Sequence, residues 1–176
     1  MNHAANPADL LSGQKLVVLG GTSGIGLEVA RAAAARGARV VIAGRDRTRA
    51  DAACASLAGE AVAHALDAGD RSALDAFFDE VGPVDHLVLT LSGGEGGGEF
   101  ASLDLQALRR GFEAKFWPQL ETVQAALPAL APAASVTSSP RCRRVSRDRA
   151  RPAWRQSTVR SKQWSAAWRA SSRRDA

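Results

Sequence analysis

The sequence predicts an α/β fold, a doubly wound parallel sheet with helices on both faces. Three observations carry that prediction. Short apolar runs alternate with helical stretches through residues 12–139, and this alternation builds a parallel sheet through right-handed crossovers. The runs are continuous rather than alternating, as in strands covered on both faces. The first run, Lys15-Leu16-Val17-Val18-Leu19, ends in Gly20-Gly21-Thr22-Ser23-Gly24-Ile25-Gly26, which opens a helix.

The elements follow in order. Lys15 to Leu19 reads as a buried strand. A helix is predicted from Gly24 to Arg36, with Ile25, Val29, Ala32 and Ala33 at helical spacing and Gly37 as C-cap. Arg39-Val40-Val41-Ile42-Ala43 is the second strand. Asp46 to Leu57 is the second helix, with Ala and Leu on one face. Glu60 to Ala65 is a weaker third strand. Ser72 to Val81 is a helix, with Ser72 as N-cap and Asp75 in a capping-box-like position. Gly82-Pro83 ends it, and His86-Leu87-Val88-Leu89 is the fourth strand. Ser92 to Gly98 is a glycine-rich loop. Leu103 to Leu130 carries helical patterning interrupted at Pro118 and Pro128, and Ser135-Val136-Thr137 begins a fifth strand.

Composition bounds the rest. The 176 residues suffice for one domain, and a hydrophobic content of 45% is globular. No basic stretch and apolar run follow Met1, so no signal peptide is expected. No run approaches the roughly 18 to 20 apolar residues that span a bilayer, so neither is a membrane partner. Cys54 and Cys142 have neither a disulfide framework nor metal-ligand spacing, so no metal is expected. A cytoplasmic location is the resulting expectation. The net charge of +5 is unevenly spread: residues 141–176 hold 12 of the 23 Lys and Arg and 2 of the 18 Asp and Glu. Trp154, Trp164 and Trp168 also lie there. The chain therefore divides into residues 1–139, the folded part, and a basic irregular tail, 140–176.

The glycine stretch has the context that gives such a pattern meaning, between a strand and a helix. Glycines let the backbone turn tightly and approach a pyrophosphate, whose charge then meets the free N–H groups of the helix. Gly20, Thr22, Ser23, Gly24, Ile25 and Gly26 are accordingly the candidate dinucleotide-binding residues. The form Gly-x-x-x-Gly-Ile-Gly resembles that of short-chain dehydrogenases/reductases, whose fold is Rossmann-type, and the resemblance runs over roughly residues 12–139. Ala43-Gly44-Arg45 ends the second strand where that family selects its cofactor. Leu66-Asp67-Ala68 is similar to the family's Asp-Val after the third strand, which makes Asp67 the expected adenine contact. Asp85-His86-Leu87-Val88 is similar to the start of its fourth strand. An acid at the end of the second strand would bind the ribose hydroxyls of NAD, whereas an Arg accommodates the 2′-phosphate of NADP. Gly44 removes the acid and Arg45 supplies the cation, so NADP is expected and NAD is the less favoured alternative. Ile25 is expected to pack at the loop. The resemblance implies hydride transfer between the nicotinamide and a small carbonyl or alcohol substrate.

The catalytic pattern departs from the family. The resemblance calls for Ser, Tyr and Lys, with an Asn on the central helix, and the Tyr as acid/base. The chain contains no tyrosine. Leu89-Thr90-Leu91-Ser92 stands where the family has Asn-Asn-Ala-Gly, and Lys115 stands for the helix Asn. Ser138 or Ser139 is placed for the catalytic Ser, and the sequence does not choose between them. Plain strand-end serines are an equal alternative.

The tail has three readings: a disordered basic segment, a nucleic-acid-binding arm of Arg and Trp, or the product of a shifted reading frame. The third is favoured, and nucleic acid is not expected as a partner. If one base is lost near codon 138, the codons from Gln156 onward permit an amphipathic helix ending Glu-Leu-Ala-Pro, similar to the helix that follows the Tyr/Lys pair in the family. In that frame the Tyr position falls across Ala153 and Trp154 and encodes Leu, Met or Val. The Lys position falls across Ser157 and Thr158 and cannot encode Lys. A non-catalytic nucleotide-binding remnant is therefore the alternative to an oxidoreductase. Intact relatives are expected to be homo-oligomers; a chain lacking the family's last strands and dimerisation helices is not. An intact family-like frame in the coding DNA over codons 138–176 is the expected finding.

Overall fold

The structure is a computed structural model that describes residues 10–91 and 95–139. The tail from residue 140 onward and the Ser92 to Gly94 part of the glycine-rich loop lie outside the described residues. The strands are β1 (Lys15–Leu19), β2 (Arg39–Gly44), β3 (Ala61–Ala65), β4 (Val84–Leu89) and β5 (Leu130–Ser138). They form one sheet in the order β3-β2-β1-β4-β5, and every neighbouring pair is parallel. The helices are α1 (Gly24–Ala34), α2 (Arg47–Ala55), α3 (Arg71–Val81), α4 (Leu105–Glu113) and α5 (Phe116–Ala126). The expected doubly wound parallel sheet is the observed architecture.

Strand periodicity divides the core in two, because successive side chains leave a strand on opposite faces. Leu16 and Val18 of β1, with Val40 and Ile42 of β2, meet Ala30, Ala33 and Ala34 of α1 and Ala53 of α2. Val17 and Leu19, with Val41, Leu87 and Leu89, meet Leu74, Phe77 and Phe78 of α3 and Ala125 and Ala126 of α5. Val17, Val18, Leu87 and Leu89 are fully buried, each contributing roughly 1.5 to 3 kcal/mol of transfer free energy.

The main fold unit comprises, of the described residues, 10–91, 95–97 and 104–139; residues 98–103 belong to a second unit and contain a 3-10 turn at Phe100–Ser102. Among the described residues, no helix is long and apolar enough to cross a membrane.

Several expectations need correction. The buried face of α1 is Gly26, Ala30, Ala33 and Ala34, one position later than the predicted stripe. Ala34 is the last helical residue, with Ala35 as C-cap, and Gly37 lies beyond at φ +83°. The N-cap of α3 is Asp70 rather than Ser72: its carboxylate accepts from Ala73 N at 3.1 Å, and Asp75 pairs with Arg71 at 2.8 Å. Asp70→Ala is accordingly expected to cost about 1 kcal/mol in urea unfolding, and Ser72→Ala a few tenths at most. The reverse order would return the cap to Ser72. Pro118 does not interrupt the helical pattern. It sits in the first turn of α5, where a missing N–H costs nothing. The actual break lies at Ala114 and Lys115. β4 begins two residues early, at Val84. β5 begins at Leu130, where helix was expected, because the bulge between the Val84–Leu130 and His86–Ser135 pairs absorbs Pro132.

Candidate functional site

Because every strand pair is parallel, the carboxyl ends of all five strands share one edge of the sheet. In such sheets ligands bind outside that edge, where the strand order reverses. Here the reversal is at β1, flanked by β2 and β4. Every sequence-predicted site residue falls on this edge. Residues 20–26 leave β1, Arg45 leaves β2, Asp67 follows β3, and Ser138 and Ser139 stand at the end of β5. The loop, Arg45 and Asp67 are thus on one side of the switch point and the serines on the other.

The loop is tied to the sheet at its start. Gly20 N donates to Ala43 O at 2.8 Å, tying the loop to β2. Gly20 (φ +84°) and Gly24 (φ +54°) occupy the left-handed region, where a side chain is strained. Among the described residues, apart from the chain neighbours of Gly24 and its own helix backbone, nothing lies within 4 Å of where a Cβ on Gly24 would stand, so that face of the loop is open to an approaching group. The helix behind it is uncapped: Ser23 is extended, and its hydroxyl makes no cap hydrogen bond. By contrast, α2, α3 and α4 carry the carboxylate caps Asp46, Asp70 and Asp104. The start of α1 therefore keeps orphan N–H groups and the positive end of its dipole available to an anion.

Thr90, which the sequence marks only as part of the stretch standing where the family has Asn-Asn-Ala-Gly, braces this loop. Its backbone N donates to Leu19 O at 2.9 Å, and its hydroxyl lies 3.1 Å from both Leu19 O and Gly20 O. A Cβ on Gly26 would stand 2.4 Å from Gly20 O and from Thr90 Oγ1, so the first turn of α1 is packed directly on the loop backbone. No pattern marks a lone polar residue after a strand; the β1–β4 pairing alone brings it here. Thr90→Val, which keeps the shape and removes the donor, is expected to cost about 1 kcal/mol in urea unfolding. Unchanged stability would show the hydroxyl to be idle.

Arg45 is exposed and makes no hydrogen bond or ion pair among the described residues. Neighbouring acids are engaged elsewhere: Asp46 caps α2 through Arg49 N at 3.0 Å, and Asp51 pairs with Arg47 at 2.9 Å. The Arg47 guanidinium is held above its usual pKa first by that hydrogen bond and then by the carboxylate charge. Asp67 is exposed, and its Oδ1 accepts from Gly69 N at 3.0 Å. Ser138 is exposed and donates its hydroxyl to Gln119 Oε1 of α5. Ser139 is half-buried and donates its backbone N to Leu89 O at 2.9 Å. Lys115 stands at the N-cap of α5, half-buried, with its carbonyl accepting from Gln119 Nε2 at 3.1 Å. Ile25, expected to pack at the loop, is 46% exposed. Cavity size alone would point elsewhere: a cavity of about 430 Å³ is lined by Phe78, Gly82, Ala125 and Leu130, and one of about 260 Å³ by Lys15, Arg39 and Glu60, both towards the amino ends of the strands.

Comparison with known proteins places this edge in context. The family model described as short chain dehydrogenase matches residues 14–137. A Streptomyces lividans protein named as an oxidoreductase is 45% identical over 83 residues, 44% of this chain and 28% of that protein. A solved short chain dehydrogenase/reductase family protein is 34% identical with a TM-score of 0.60, covering 68% of this chain and 50% of that one. A short-chain type dehydrogenase/reductase from Mycobacterium ulcerans is 25% identical with a TM-score of 0.61, covering 68% and 47%. The chain thus spans about half the length of these solved structures and less than a third of the Streptomyces relative.

Proposed function

Since the chain belongs to the short-chain dehydrogenase family, whose members bind NAD or NADP, we propose that it binds NADP and acts in hydride transfer to or from a small carbonyl or alcohol substrate. The observation that carries this reading is the uncapped start of α1 behind Gly20 and Gly24, beside the unpaired charge of Arg45 among the described residues. Gly20, Gly24 and Gly26 let the pyrophosphate approach the N–H groups of α1, with Thr22 and Ser23 beside it. Arg45 receives the 2′-phosphate, and Asp67 borders the adenine. The nicotinamide, when bound, supplies or accepts the hydride. Ser138 or Ser139 orients the substrate oxygen.

A second reading has its own observation. The chain contains no tyrosine, so the family's acid/base is not among its residues. Proton transfer would then fall to another acid or a bound water, or the chain would bind nucleotide without turnover. The deciding experiment titrates NADPH and NADH into the protein and then assays NADPH oxidation over a broad carbonyl panel. The expected result is preferential NADPH binding, with turnover abolished by Gly24→Asp. Tight binding without turnover on any carbonyl would leave the non-catalytic reading. Absence of binding would sink both.

A further inference from the structure

Gly44, the last residue of β2, is half-buried, and its φ lies outside the region that favours glycine. Its backbone would accept any residue; its surroundings would not. A Cβ at this position would stand 2.7 Å from Cγ2, 3.3 Å from Oγ1 and 3.6 Å from Cβ of Thr22, the third residue of the glycine loop. The first distance is well inside van der Waals contact. Neither partner is free to withdraw. Gly44 O accepts from Leu66 N at 3.0 Å, and Ala43 O accepts from Gly20 N at 2.8 Å, so the end of β2 is fastened on both sides. Thr22 is half-buried and β-branched, so rotation about χ1 exchanges its methyl with its hydroxyl or hydrogen and has few staggered choices.

The position matters because an acid ending the second strand would grip the ribose hydroxyls of an unphosphorylated cofactor. We propose that Thr22 is a specificity-determining residue. Its methyl fills the space where a side chain at position 44 would begin, so the loop itself excludes that acid and leaves the 2′ position of the ribose to Arg45. Cofactor preference is therefore set by two loops in contact rather than by the end of β2 alone. This rests on the reading that residues 20–26 and Arg45 hold NADP.

A double-mutant cycle on the full chain tests it: Thr22→Ser, which removes Cγ2 and keeps the hydroxyl, Gly44→Asp, and both together. The probes are 2′-phospho-ADP-ribose and ADP-ribose in calorimetric titrations. Gly44→Asp alone is expected to lose the phosphorylated probe without gaining the other. The double variant should bind ADP-ribose roughly tenfold more tightly than Gly44→Asp alone, a coupling of the size seen between side chains in contact. Thermal melts of Gly44→Ala, alone and with Thr22→Ser, isolate the steric part. A loss of about 3 to 8 °C is expected with Thr22 intact and a clearly smaller one with Thr22→Ser. Equal losses in both backgrounds, or a full switch to ADP-ribose by Gly44→Asp alone, would overturn the proposal. If the unaltered chain shows no preference between the probes while the melts remain coupled, the NADP reading has failed and takes the specificity role of Thr22 with it. Uncoupled melts with the preference intact would overturn Thr22 alone.

Discussion

Arg45→Ala is expected to weaken NADPH binding roughly 10- to 100-fold while leaving NADH binding close to that of the unaltered protein. The range is that of one charge-assisted contact to a phosphate, about 1.5 to 3 kcal/mol. Arg45 is exposed and follows the fastened end of β2, so its removal leaves no cavity and strands no buried partner among the described residues. The effect should therefore be confined to ligands that carry the 2′-phosphate. An exposed charge is also screened by salt. The NADPH preference of the unaltered protein should narrow between low and high ionic strength, and that of Arg45→Ala should change little. Parallel titrations with both nucleotides check this. Equal loss of NADH and NADPH binding would mean that Arg45 supports the fold of the site rather than the phosphate.

Gly26→Ala is expected to destabilise the protein by about 1 to 3 kcal/mol, the usual range for overpacking, and to lower nucleotide affinity more than tenfold. Two effects oppose each other here. Alanine is the better helix former, by up to about 1 kcal/mol. Against that, the new methyl would stand 2.4 Å from Gly20 O and from Thr90 Oγ1. Both atoms belong to the brace under the loop, and Gly20 O is backbone, so relief requires moving the loop itself. The clash should win because the methyl meets backbone rather than the loose end of a long side chain. Urea unfolding gives the stability term and NADPH titration the binding term. A variant as stable as the unaltered chain would show that the loop yields without cost.

The sheet was legible because apolar runs such as Lys15–Leu19 and Arg39–Ala43 leave few other readings, and glycines punctuate them. Errors arose where chemistry is locally degenerate. Asp70 and Ser72 are both good caps, and choosing between them needs the position of Arg71 on α3. Pro118 breaks a helix in its interior and is harmless in its first turn, and the sequence does not number the turns. The buried stripe on α1 starts one position after the apolar spacing suggests, because Ile25 is apolar yet exposed while the neighbouring Gly26 is buried. The loop of the candidate site was legible from its glycines. Its brace at Thr90 and the contact between Thr22 and Gly44 were not, because each depends on which strand lies beside which.

The strand order also carries a temporal consequence. β1 meets β2 after one short excursion, but its partner on the other side, β4, lies some 70 residues downstream, as does the Thr90 hydroxyl that reaches Gly20. A chain leaving the ribosome amino end first completes β1, β2 and β3 before Thr90 has been synthesised. Until β4 arrives, one flank of the nascent glycine loop has no wall. Docking of the fourth strand is therefore the step at which the loop acquires its final shape, so a nucleotide present during synthesis would meet a finished cradle only after that step.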